Sequence, residues 1–155
     1  MRIPVPQGWE RSTKMDSENI RFAIRSPGLA TDGFTPNAVV TLMKAPAGLG
    51  EPEQLLQEQN EQLTRKLKLT DLVSTPAEVC GEQGLLTTYT APEVSLASGG
   101  PPVPPRTAKQ LGVVYEADGE VWVATVTVQT VKPDDQTYIK ESDDILKGFQ
   151  LLPPR

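Results

Sequence analysis

Apolar and polar side chains alternate with a period of two over Ile20–Arg25, which puts Ile20, Phe22 and Ile24 on one face. That pattern predicts a strand with one buried face, and Pro27-Gly28 stops it. Residues 37–45 carry Ala38-Val39-Val40-Thr41-Leu42-Met43, apolar at both alternating sets, which predicts a strand covered on both sides. Ahead of these, residues 3–9 mix prolines with apolar residues and close on Pro6-Gln7-Gly8-Trp9. Proline cannot serve a central strand, so this stretch predicts an edge segment and a turn.

The period becomes helical at 51–69. Leu55, Leu56, Leu63 and Leu67 form a narrow apolar stripe, interrupted by Gln59, and the opposite face is polar. Pro52 sits where a missing N–H is harmless. Glu51 and Glu53 suit the positive end of the helix dipole, and Arg65, Lys66 and Lys68 the negative end. Residues 72–79 and 85–90 predict two strands, with Gly81-Glu82-Gln83-Gly84 as their turn. Residues 109–116 and Glu120–Thr130 predict a second hairpin across Asp118-Gly119, the composition of a type I′ turn. In its second strand Trp122, Ala124, Val126 and Val128 alternate with Val121, Val123, Thr125 and Thr127, so neither face is strongly polar. Tyr138, Ser142, Ile145, Leu146 and Phe149 recur at three- and four-residue spacing, which predicts a helix over 133–148.

The order amounts to about six strands, mostly joined as hairpins, with one helix inserted midway and another at the end. It predicts an α+β fold: an α/β/α sandwich whose mostly antiparallel sheet carries helices on both faces. One domain is expected to span 1–155. Its one biased segment is the Pro-rich loop 91–107, in which Pro101, Pro102, Pro104 and Pro105 precede Arg106. Four prolines in five positions cannot join a sheet ladder and favour polyproline II. With the adjacent arginine they resemble a peptide ligand, which makes Pro101, Pro102, Pro104, Pro105 and Arg106 the candidate interaction loop.

Composition removes most other chemistry. The 155 residues include no histidine, one cysteine and 15 prolines. Ser-His and Cys-His catalysis, histidine-containing zinc sites and disulfide frameworks are therefore excluded. No phosphate loop, dinucleotide fingerprint, nucleophile elbow or HExxH occurs, and none of the seven serines has a lysine three residues on. Asp134, Asp135, Glu141, Asp143 and Asp144 lack the spacing and glycine of a calcium loop and read as a solvated helix face. Cys80 has no local basic residue to activate it and reads as a half-buried structural cysteine. Trp9, Phe22 and Trp122 read as core rather than as the wall of a ligand cavity. Neither metal nor cofactor is implied. The net charge is −5, with no basic stripe, which argues against nucleic acid and anionic membrane surfaces. No stretch is apolar enough to span a membrane, and no signal peptide is visible.

Taken in order, several weak motifs form a recognisable set. Pro6-Gln7-Gly8-Trp9 opens the chain, and Pro36-Asn37-Ala38-Val39-Val40-Thr41-Leu42 follows. A Glu/Gln/Leu-rich helix comes next, then Trp122-Val-Ala-Thr-Val-Thr-Val-Gln-Thr running into Pro-Asp-Asp-Gln-Thr-Tyr, then Ile145-Leu-Lys-Gly-Phe149. Over roughly 3–150 this resembles the mycobacterial LpqN-type family of lipoproteins and secreted proteins, and within it the secreted proline-rich antigen branch. The resemblance implies a PsbP-like fold and export to the cell envelope or beyond, with the native signal segment removed from the sequence. It brings no catalytic motif and no lipobox cysteine. The function expected is a non-enzymatic envelope binding or interaction domain, its partner an unknown protein or an envelope lipid. The alternative is a lipid or glycolipid carrier with an apolar groove between helix and sheet. A hydrolase built on a carboxylate pair is a third possibility.

Overall fold

The computed structural model describes residues 1–12, 20–30, 34–45, 52–93, 102, 104–117 and 119–151. Seven strands form one sheet: β1 (Glu10–Ser12), β2 (Ile20–Arg25), β3 (Asn37–Lys44), β4 (Thr70–Val79), β5 (Glu82–Ala91), β6 (Arg106–Ala117) and β7 (Glu120–Thr130). Helix α1 (Pro52–Leu67) lies between β3 and β4, and α2 (Gln136–Lys147) follows β7. The sheet order is β1-β2-β3-β7-β6-β5-β4, and every pairing is antiparallel. The chain thus builds one half of the sheet to β3, crosses by α1 to the far edge at β4, and returns strand by strand until β7 closes against β3. The class is α+β with a mostly antiparallel sheet, as the hairpin order predicted.

The extra strand is β1. Three residues, two of them exposed, are too few to display a period in the sequence. Strand β6 begins at Arg106, three residues ahead of the expected 109, because its first residues are polar or small yet hydrogen-bonded in register with β5 and β7. Pro76 is accommodated because β4 is an edge strand, where a missing N–H is tolerated.

The turn expected at 81–84 sits one residue earlier, at Cys80-Gly81, and residues 82–84 belong to β5. Both turn residues have positive φ, +51° and +82°, the combination whose twist suits a two-residue hairpin. This places Cys80 on the surface, so the half-buried expectation is corrected. The Pro6–Trp9 turn forms as read: Trp9 N–H donates to the Pro6 carbonyl at 3.0 Å, and Gly8 supplies the required φ of +93°.

Consecutive residues of the central strands pack into different clusters. Leu111, Val113, Ala124, Val126 and Val128 join Ile24, Ala38 and Val40, and α2 adds Ile145 and Leu146. Ile3, Trp9, Val79 and Phe149 complete that core, and an isolated bridge pairs Arg2 with Gln150. Trp9 is buried, and its indole N–H donates to Glu141 on α2 at 3.1 Å. The other cluster is smaller: Leu56 of α1 meets Leu85 and Val114, with Leu55, Val121 and Val123 at its margin. Among the described residues, no helix is long and apolar enough to cross a membrane.

Candidate functional site

Polar chemistry concentrates on the α1 side of the sheet. Residues opposed across antiparallel strands share a face, as do alternate residues along one strand. Along β6 the positions on this side are Arg106, Ala108, Gln110, Gly112 and Val114. Their partners include Tyr89 and Gln129 opposite Ala108, Thr87 and Thr127 opposite Gln110, and Thr125 opposite Gly112. The side facing α2 places Leu111, Val113, Ala124, Val126 and Val128 there instead.

Asn60 of α1 organises the middle of this face. It follows Leu56 by four residues, so both point at the sheet. Leu56 packs over Gly112, where a Cβ would approach its Cδ2 at 2.9 Å. One turn on, Asn60 Nδ2 donates to Thr87 Oγ1 at 2.8 Å, and Gln110 Nε2 donates to Asn60 Oδ1 at 3.1 Å. Ser74 Oγ lies 3.1 Å from the same Thr87 hydroxyl and extends the network to the edge strand. Asn60, Thr87 and Gln110 are all buried. A buried amide is stable only when its donors and acceptors are matched, and here each amide finds a partner.

This network floors a groove of about 500 Å³ between α1 and β4. Asn60, Glu61, Thr64, Arg65, Leu72 and Ser74 line it, so amide and hydroxyl groups meet an apolar side chain and one charge of each sign. On the other flank of α1, Met43, Leu55 and Val123 line a depression of about 290 Å³, rimmed by Lys44, Glu58 and Gln62. Leu67 and Met43 remain 42% and 45% exposed. The helix therefore covers its side of the sheet incompletely, with an opening on each flank.

A second polar chain runs across three strands at one end of the same face. Asn37 Nδ2 donates to the Thr35 carbonyl at 3.2 Å, Gln129 Nε2 to Asn37 Oδ1 at 3.2 Å, and Arg106 Nε to Gln129 Oε1 at 2.9 Å. Tyr89 stands near this end. Burial raises its phenol pKa, and the Arg106 charge opposes that rise. Two buried side-chain atoms have no hydrogen-bond partner among the described residues: Arg106 Nη1 and Thr125 Oγ1. Both belong to the α1 side.

Of the residues singled out in the sequence, Pro102 and Pro105 are exposed and Pro104 is half-buried. Pro101 lies outside the described residues, as do 94–100 and 103. Arg106 opens β6, with its guanidinium turned to Gln129. The acidic residues near α2 are engaged locally. Asp135 caps the helix by accepting from the Tyr138 N–H at 3.0 Å, Asp143 pairs with Lys109, and Asp144 pairs with Lys140. The stripe read on α1 is shifted: Gln59 is half-buried, and Asn60 beside it is the polar residue that meets the sheet. The polar residue at i+4 from Leu56 is the signal that could have located it.

The architecture is shared with solved structures. LpqN of Mycobacterium tuberculosis, a protein involved in cell envelope biogenesis, superposes with a TM-score of 0.72 at 19% identity. The match covers 98% of this chain and 83% of that one. The fold is LpqN-like. A Pseudomonas aeruginosa protein of unknown function, PA94, superposes with a TM-score of 0.56 at 14% identity, covering 92% of this chain and 89% of its own. No family model and no curated protein matches the sequence.

Proposed function

We propose that this chain is an exported, non-enzymatic binding domain of the cell envelope, of LpqN type and spanning 1–155. The observation that carries the reading is the groove beside α1, where a buried amide network underlies an opening of about 500 Å³ with Leu72 on its wall. Amide and hydroxyl groups bind neutral polar ligands through matched hydrogen bonds, while apolar walls take hydrocarbon. This combination suits a lipid or glycolipid better than a polar metabolite, so carriage of an envelope lipid is the form of binding we favour. The LpqN-like fold supports the envelope setting, because LpqN is involved in envelope biogenesis.

The same reading extends to architecture and branch. Alternation of β6 and β7 residues between the α1 and α2 clusters supports a PsbP-like helix–sheet–helix sandwich. The surplus of prolines supports the proline-rich antigen branch, in a mycobacterium or relative. A protein partner is the second reading, with Pro101, Pro102, Pro104 and Pro105 as its contact loop. The exposure of Pro102 and Pro105 favours it.

Native mass spectrometry after incubation with a mycobacterial envelope lipid extract tests the first reading. The expected result is a one-to-one lipid adduct that a bulky substitution in the groove, Ser74→Trp, reduces. A clean lipid-free spectrum for the wild type would overturn carriage and leave the protein-partner reading.

A further inference from the structure

The strongest unexplained group in the molecule is the Arg106 guanidinium. Its Nη1 is fully buried and unpartnered among the described residues. An arginine is always charged, and a buried charged donor without an acceptor is costly enough that native structures rarely keep one. Its orientation is also fixed. Gln129 holds Nε, Asn37 holds Gln129, and the Thr35 carbonyl holds Asn37. Such a relay leaves the guanidinium no freedom to swing toward solvent without breaking a hydrogen bond.

Arg106 as a whole is only half-buried, so part of its side chain reaches solvent, and the described surroundings offer no counter-charge. Ala91 stands directly opposite Arg106, and Ala108 is the next residue on the same face. Both are small and buried, at 4% and 1% exposure, and neither brings a side-chain acceptor to the guanidinium. Arg106 takes part in no ion pair among the described residues. Tyr89, opposite Ala108, brings a phenol to the same neighbourhood, and burial keeps it in its neutral, donating form. We propose that Arg106, held by Gln129 and accompanied by Tyr89, is the anchor of an oxyanion site at this end of the α1 face. Its ligand is a carboxylate- or phosphate-type group. Guanidinium binds such groups through strong charge-assisted hydrogen bonds.

The site lies four residues along β6 from Gln110, roughly 13 Å at strand spacing, and on the same face. An amphiphile with an anionic headgroup can therefore reach both it and the groove, but a free anion can occupy it alone. The proposal does not rest on lipid carriage. Saturable phosphate binding together with a clean lipid spectrum would remove the carrier reading and keep this site.

Isothermal titration of the whole chain with sodium phosphate, with sodium chloride at matched ionic strength as control, is the primary test. The expected result is saturable one-site binding to the wild type, weakened roughly tenfold or more by Arg106→Gln, as loss of one charge-assisted hydrogen bond implies. Arg106→Lys, which keeps charge but not the fork, should fall between them. Dodecyl phosphate distinguishes the sources. Binding tighter than phosphate assigns the site to a headgroup, and equal binding assigns it to a free anion. If circular dichroism shows Arg106→Gln unfolded, Arg106→Lys and the wild-type titration carry the test. Absence of saturable phosphate binding in the wild type, or phosphate binding unchanged in a folded Arg106 variant, would overturn the proposal.

Discussion

Asn60 accepts from Gln110 and donates to Thr87, so removing it strands the buried Gln110 amide and leaves Thr87 with Ser74 alone. Asn60→Ala should therefore lower stability by about 1–3 kcal/mol, read as a shift in the urea midpoint. Replacing Asn60, Thr87 and Gln110 together by Leu, Val and Leu should restore most of that loss, since apolar groups of similar shape leave nothing unsatisfied. The glycines of β5 and β6 give a second residue-scale contrast. A Cβ on Gly84 would meet the Gly112 carbonyl oxygen at 2.7 Å, which is backbone and cannot move aside. A Cβ on Gly112 would meet only the end of the Leu56 side chain at 2.9 Å, which can rotate. Gly84→Ala should thus be the more destabilising change, by roughly 1–3 kcal/mol, in paired thermal melts. Equal melts would show that the sheet yields as easily as a leucine rotamer.

The two helices differ in how firmly they are held. Helix α2 has an Asp135 cap and buries Tyr138, Ser142, Ile145 and Leu146. Among the described side chains of α1 only Leu56 and Asn60 are buried, with Leu55, Gln59, Leu63 and Thr64 half-buried. Local opening follows buried apolar contact, so α1 amides should exchange with deuterium faster than α2 amides by NMR. Comparable protection would mean that α1 is packed more tightly than its contacts suggest. These elements also show what the sequence made legible. Strongly periodic segments, namely β2, β3, β7 and both helices, were placed to within a few residues, because one buried face imposes its period on the residues. The candidate site was largely hidden. Asn60 is a polar residue in an apolar register, and the leucines around it drew attention to the stripe and away from its interruption at the sheet. Arg106 follows four prolines, so composition assigned it to a loop, whereas its cross-strand partners draw it into β6. Pairing partners far apart in sequence leave no local signal.

At the scale of the whole molecule, polarity is divided between two sides of one sheet. The α2 side is an aliphatic and aromatic core that ties both chain ends to the sheet. The α1 side carries the buried amides, the Thr87 and Thr125 hydroxyls and the two unpartnered buried atoms. Alkaline stability follows from the tyrosines of both sides. Burial raises the pKa of Tyr89, Tyr115 and Tyr138 above the ordinary 10.0, most of all for Tyr138. The unfolded chain then loses these protons first, so stability should be level below about pH 10 and fall as pH rises beyond it. Chemical denaturation across the alkaline range checks the sign, and a rise in stability there would refute the burial of these phenols.

The central claim is that ligand binds on the α1 side. Hydrogen exchange by mass spectrometry, with and without the lipid extract that forms the adduct, measures this directly. The expected result is slowed exchange over Pro52–Leu67, Thr70–Val79 and Arg106–Ala117, with Gln136–Lys147 unchanged. Protection confined to Gln136–Lys147, or none at all with lipid bound, would contradict the account.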